Sequence, residues 1–137
     1  MKPQSETDIS HAVRVLTAES DALAQLAQSI NFDFVGEEFA KAVSVISKKV
    51  NKRNANRLIV AGIGKSGHVA RKIAATLAST GTPAYYVHPG EASHGDMGMI
   101  ARKDVVLLLS NSGENNELSD LMHYTKRFDI TLIAMTG

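Results

Sequence analysis

Apolar residues recur at helical spacing through the first third of the chain and in short unbroken blocks after it, with the change of rhythm near residue 57. Ile9, Val13, Leu16, Leu23, Leu26 and Ile30 share one stripe of a first predicted helix. Phe39, Val43, Ile46 and Val50 share a stripe of a second, with Asp33 as a candidate N-cap. Both stripes are expected to pack into a core, part of the first being open to a partner subunit. The basic stretch from Lys48 to Arg57, KKVNKRNANR, reads as a solvated helix end and linker; it lacks the interleaved aromatics of an RNA surface.

From residue 58 the pattern alternates. Predicted strands cover 58–63, 83–87 (PAYYV), 105–109 (VVLLL) and 130–135 (ITLIAM). Val69, Ile73 and Leu77 mark a helix between the first two strands, closed by Gly81. Leu118, Leu121, Met122 and Thr125 mark another between the last two. Continuous apolar strands separated by helices imply a parallel sheet covered on both faces, a doubly wound α/β domain preceded by two helices. The sequence stops at Thr136-Gly137, at the end of its fourth strand, where such a fold is expected to continue into a covering helix.

A length of 137 residues suits one domain with a real core. The formal net charge of +1 gives no global basic field, so an anionic ligand has to be held by local donors and a nucleic-acid partner is not expected. Cysteine is absent, which excludes disulfides, thiolate zinc sites and a cysteine nucleophile. The polar start MKPQSETDIS is no signal peptide and no apolar run reaches membrane-spanning length, so the expected location is the cytoplasm.

Three stretches carry candidate chemistry. RLIVAGIGKSGH, Arg57 to His68, is a strand running into a glycine-rich turn and a helix start. Gly62-x-Gly64-x-x-Gly67 fits the dinucleotide fingerprint, yet the second strand ends Tyr86-Val87-His88 without the acid that would hold a ribose. Gly64-Lys65-Ser66 resembles the tail of a P-loop, but its leading glycine would fall on Ile59. A small anion on free backbone N–H groups, with the Ser66 hydroxyl and Lys65 ammonium, suits the turn; a tight turn holding no ligand is the plainer alternative. SNSGENNE, Ser110 to Glu117, follows the third strand and opens the next helix, so Ser110, Ser112, Gly113 and Asn115 are either phosphate contacts or helix caps. Two such loops at one sheet edge favour a phosphorylated ligand. The third stretch, HPGEASHGDMGM from His88 to Met99, is a long polar connection whose His88, Glu91, His94 and Asp96 could ligate a metal or exchange protons.

Taken in order, GIGKSGHVARKIAATLASTGTPAYYVHPGEASHGDMGM (Gly62 to Met99) and SNSGENNE resemble the sugar isomerase (SIS) domain family, and VHPGEASHGD narrows the likeness to its arabinose 5-phosphate isomerase branch. The resemblance implies a flavodoxin-like α/β/α sandwich, here with four strands, that binds phosphosugars rather than nucleotides. It implies an aldose–ketose isomerase acting between D-arabinose 5-phosphate and D-ribulose 5-phosphate, for synthesis of the lipopolysaccharide sugar 3-deoxy-D-manno-octulosonate. Phosphate-binding serines then fall on Ser66, Ser110 and Ser112, with Gly113 and Asn115 in the same loop; Asn115 stands where many members have a hydroxyl. A Gly-Thr pair lining the substrate falls on Gly81 and Thr82, and a substrate-side histidine on His94. The catalytic lysine and glutamate fall on Lys65 and Glu117, and a zinc-associated histidine on His88. No cofactor is otherwise implied. Family members continue into a fifth strand and usually paired CBS modules, so residues 1–137 are expected to be one SIS domain cut short at its C-terminal end, working as a homo-oligomer. A non-catalytic phosphosugar-binding module is the alternative from another class, and a nucleotide-binding domain a weaker one.

Overall fold

The computed structural model describes residues 4–51, 55–114 and 116–137. It divides into two compact units, Met1–Ala42 and Val43–Gly137. The first holds α1 (Gln4–Phe32) and the start of α2 (Phe34–Lys49). In the second, β1 (Leu58–Gly62) leads into α3 (Gly64–Ser79) and β2 (Ala84–Val87). The connection onward carries α4 (Pro89–Ser93) and a 3-10 helix (Asp96–Met99), then β3 (Val105–Ser110), α5 (Asn116–Arg127) and β4 (Thr131–Thr136).

The four strands form one parallel sheet in the order β2-β1-β3-β4. Successive side chains of a strand point to opposite faces, so the two central strands, apolar almost throughout, feed two core layers. Leu58 and Val60 with Val105, Leu107 and Leu109 meet Ala70 and Ala74 of α3. Ile59 and Ala61 with Val106 and Leu108 meet Leu118 and Leu121 of α5 and Ala92 of α4. This is the three-layer α/β/α arrangement expected from the alternating pattern.

Several side chains depart from the sequence reading. Val69, expected on the core face of α3, is 52% exposed. The buried positions of that helix are Gly67, Ala70 and Ala74, with Ile73 and Leu77 only partly covered, because small residues let the helix lie close to the sheet. Met122, expected beside Leu118 and Leu121, stands 48% exposed near Leu132 in a groove between α5 and β4. The stripes of α1 and α2 were expected to be core. In the structure Ile9, Val13, Leu16, Leu23, Leu26 and Ile30, and likewise Phe39 and Val43, are exposed; only Ile46 and Val50 of the second stripe reach the core. Arg57 is no mere linker residue. Its backbone N–H donates to Asp104 Oδ1 at 2.9 Å and its Nη2 to Asp104 Oδ2 at 2.7 Å, just ahead of β1.

Gly67 shows why the turn after β1 demands glycine. A Cβ there would lie 2.7 Å from the Gly62 carbonyl oxygen and 3.1 Å from the Tyr86 hydroxyl. Backbone cannot yield cheaply, so Gly67→Ala is expected to destabilise the fold by about 1–3 kcal/mol, an overpacking cost, read as a lower urea midpoint.

Candidate functional site

In a sheet of order β2-β1-β3-β4, the chain leaves β1 toward α3 on one face and β3 toward α5 on the other. The carboxyl ends of β1 and β3 are therefore the switch point, where open α/β sheets bind ligands. A cavity of about 290 Å³ lies there, lined by Ile63, Lys65, Ser66, Leu109, Ser110, Asn111, Ser112 and Leu118. Both loops singled out in the sequence thus meet in one place.

The β1–α3 turn is built to leave donors open. Gly64 sits at φ +57°, the left-handed region that glycine enters freely. The N-cap of α3 is Ile63, whose side chain cannot accept a hydrogen bond from the first N–H groups. An apolar residue at that position is unusual, since Ser, Thr, Asp and Asn are the preferred caps. The uncapped N–H groups and the positive end of the helix dipole are left for an anion.

The β3–α5 loop is organised by its own serines. Gly113 N–H donates to Ser110 Oγ at 3.0 Å and Glu114 N–H to Ser112 Oγ at 3.4 Å. A hydroxyl used as acceptor still has its own O–H to give, so both serines keep a donor for a ligand oxygen. Gly113 takes a positive φ of 72° in this loop. Glu117 follows in the first turn of α5, next to Leu118 of the cavity wall. Asn115 lies outside the described residues.

The remaining expected residues are placed elsewhere. Gly81 and Thr82 follow the C-terminal end of α3 and precede β2, so they stand at the amino edge of the sheet, opposite this cavity. The 16 residues of α3 separate the two edges, a span of about 24 Å at 1.5 Å per residue. His94 caps the end of α4 and is exposed, and it does not line the cavity. His88 caps the start of α4, its Nδ1 accepting from the Gly90 N–H at 3.2 Å. One ring nitrogen is thereby committed. Among the described residues no group of three or more His, Cys, Asp or Glu is arranged to hold a metal ion. No chemical step is assigned to a metal.

Sequence reasoning missed Tyr86. Its hydroxyl donates to the Gly62 carbonyl at 2.9 Å, tying β2 to the residue from which the glycine-rich turn departs. The Arg71 guanidinium covers the ring at 4.1 Å, and His88 meets its edge with centroids 6.5 Å apart. The absence of an acid at the end of β2 was legible; the phenol's reach across to β1 was not, because no local spacing records it.

Comparison with known proteins agrees with this geometry. The SIS domain model matches residues 53–137. Arabinose 5-phosphate isomerase of Francisella tularensis is 45% identical over 137 residues, covering 100% of this chain and 40% of the relative. The Yersinia pestis protein of the same name is 52% identical over 124 residues, covering 90% of this chain and 35% of the relative. The chain thus spans well under half the length of these curated relatives. Among solved structures, an Escherichia coli CFT073 protein in complex with arabinose 5-phosphate is 37% identical, with a TM-score of 0.76, and the match covers 95% of this chain and 64% of that one. A phosphoheptose isomerase from Neisseria gonorrhoeae, 20% identical with a TM-score of 0.73, shares the fold. With the sheet, its switch-point cavity and the family match all falling on the same residues, the chain belongs to the SIS domain family.

Proposed function

We propose that this chain supplies the phosphate-holding part of an isomerase site that interconverts D-arabinose 5-phosphate and D-ribulose 5-phosphate, in the cytoplasm and on the route to 3-deoxy-D-manno-octulosonate. The observation that carries the reading is the cavity between β1 and β3, walled by Lys65, Ser66, Ser110 and Ser112 and opened onto an uncapped helix start. Curated relatives named for arabinose 5-phosphate, and a solved neighbour holding that sugar phosphate, support the choice of sugar.

The chemistry divides along the chain. The phosphate oxygens take the N–H groups at the start of α3 and the hydroxyls of Ser66, Ser110 and Ser112. Isomerisation removes the proton from C2 of the open-chain aldose, passes through a cis-enediol, and returns a proton to C1, while the C2 hydroxyl gives up its proton to become the ketone and the C1 carbonyl oxygen takes one up to become a hydroxyl. Glu117 is assigned the carboxylate that carries the proton between the two carbons. Lys65 is assigned the cation that stabilises the negative oxygen of the enediolate. His94, in the connecting segment, is assigned to a sugar hydroxyl. Gly81 and Thr82, at the far edge of their own sheet, contact substrate in this scheme only from another copy, so the functional unit is a homo-oligomer.

Phosphorus and proton NMR of D-arabinose 5-phosphate mixed with the purified chain tests the reading. The expected result is a broadened and shifted phosphorus line, with ribulose 5-phosphate accumulating if residues 1–137 suffice for turnover. Binding without conversion would favour a phosphosugar-binding module. An unchanged phosphorus spectrum at millimolar ligand would overturn the assignment of the cavity.

A further inference from the structure

Two glycines, Gly62 and Gly64, stand in the three residues that lead from β1 into α3. Glycine loses more backbone freedom on folding than any other residue, so a turn of this composition keeps one shape only when something outside it holds it. The donors of the site depend on that shape, because the first N–H groups of α3 point where the turn aims them.

The neighbouring strand supplies a tie. The Tyr86 hydroxyl donates to the Gly62 carbonyl oxygen at 2.9 Å, across 24 positions of sequence. A peptide unit is planar, so holding that oxygen also fixes the direction of the Ile63 N–H on its other side. The surroundings of Gly62 are tight. A Cβ there would lie 3.0 Å from the Ser66 carbonyl and 3.1 Å from the Leu109 oxygen. Turning the Gly62 peptide therefore shifts the backbone of Ser66, which lines the cavity.

Tyr86 is itself held. It pairs with Val60 in the parallel ladder, and its half-buried ring packs in the core layer beneath α3. The Arg71 guanidinium, one turn beyond Gly67 on α3, stands 4.1 Å from the ring centroid. One side chain of β2 thus touches both the end of β1 and the first turns of α3. It is not among the residues that line the cavity, so any influence on a ligand passes through Gly62.

We propose that Tyr86 is a positioning residue for the anion-holding turn: its hydroxyl fixes the Gly62–Ile63 peptide and, through it, the N–H groups at the start of α3 that receive a phosphate. The role deepens the phosphate reading of the cavity and rests on it; the proton transfer is not involved.

Phosphorus NMR titrations of inorganic phosphate and of arabinose 5-phosphate into the parent chain, Tyr86→Phe and Tyr124→Phe test it. Phenylalanine keeps the Tyr86 ring and its contact with Arg71 and removes only the hydroxyl. Tyr86→Phe should weaken both ligands by the same factor, about 3–10-fold, the worth of one ordinary hydrogen bond. Tyr124 serves as the control. Its hydroxyl donates to the Ile100 carbonyl at 3.5 Å, in the core layer on the opposite face of the sheet. Its loss should leave both affinities within about twofold of the parent. In the ligand-free chain, Tyr86→Phe should move the amide signals of Ile63 to Ser66 and leave those of Ser110 and Ser112 in place.

A residue that served the fold alone would lower the melting temperature and leave the folded chain binding phosphate as before. Affinities of Tyr86→Phe within about twofold of the parent, or unmoved signals from Ile63 to Ser66, would therefore overturn the positioning role and leave the phosphate reading standing. An equal loss in Tyr124→Phe would overturn it too, as a general softening of the core. A loss for arabinose 5-phosphate alone would set Tyr86 against the sugar and overturn its assignment to the turn. No binding of either ligand by the parent chain would overturn the phosphate reading and the positioning role together.

Discussion

Glu117→Gln is expected to lower turnover of arabinose 5-phosphate by about 10²–10⁴-fold while phosphosugar affinity changes by less than about threefold. Glutamine keeps the size of the side chain but exchanges one acceptor oxygen for an NH2 donor and cannot take up the C2 proton. The phosphate contacts assigned to Ser66, Ser110 and Ser112 come from the cavity wall and are untouched by the change. Parallel steady-state kinetics and equilibrium titration of the protein check it. Turnover within a factor of a few of the parent would remove Glu117 from the proton transfer. A matched loss of affinity would make it a substrate contact instead.

A comparable effect, on stability rather than rate, is expected of Asp104→Ala: a loss of about 2–4 kcal/mol, as when a buried carboxylate that satisfies several N–H donors is removed. Asp104 is 1% exposed and takes hydrogen bonds from two separate segments of the chain. Its Oδ1 accepts from the Arg57 N–H at 2.9 Å, and its Oδ2 accepts from Ala101 N–H at 2.9 Å and from Arg57 Nη2 at 2.7 Å. The same Nη2 also donates to the Met99 carbonyl. The carboxylate thus joins the entry to β1 with the entry to β3, the two central strands. The hydrogen bond to Asp104 pushes the Arg57 guanidinium above its ordinary value, against the opposing effect of partial burial. Alanine would strand the Ala101 and Arg57 N–H groups and leave the guanidinium without its counter-charge. Urea denaturation should show the midpoint falling by roughly 1–3 M. A shift under about 0.3 M would mean that water replaces the carboxylate without cost.

The parts of the fold that were legible in the sequence are those whose physics is local. LIVAG and VVLLL are apolar at every position, as only doubly covered strands need to be, and both are buried along their length. The GIGKSG turn declared itself because close approach of backbone to backbone excludes any side chain at Gly67. The serine loop was legible as a helix start. What escaped is non-local. Arg57 and Asp104 are 47 positions apart and look like any two surface charges until the strands bring them together. Tyr86 looks like an ordinary strand aromatic, and only the β1–β2 pairing aims its hydroxyl at Gly62. The helix periodicities of α1 and α2 were correct as periodicities, but a stripe records which residues share a face and not what covers it. Residue spacing likewise could not tell that Gly81 and Thr82 stand at one edge of the sheet and the cavity at the other.

An isoleucine at the head of α3 leaves the empty protein holding a small debt: a capping side chain at such a position is typically worth about 1 kcal/mol, and none is made here. Whatever anion fills the cavity discharges it. Occupancy and melting temperature are then linked quantities, each tenfold excess of ligand over its dissociation constant adding about 1.4 kcal/mol to the folded state. A change that capped the helix from within would make the empty protein sturdier and its ligand weaker in the same stroke. The opening of this one helix is where durability and affinity compete for the same few N–H groups.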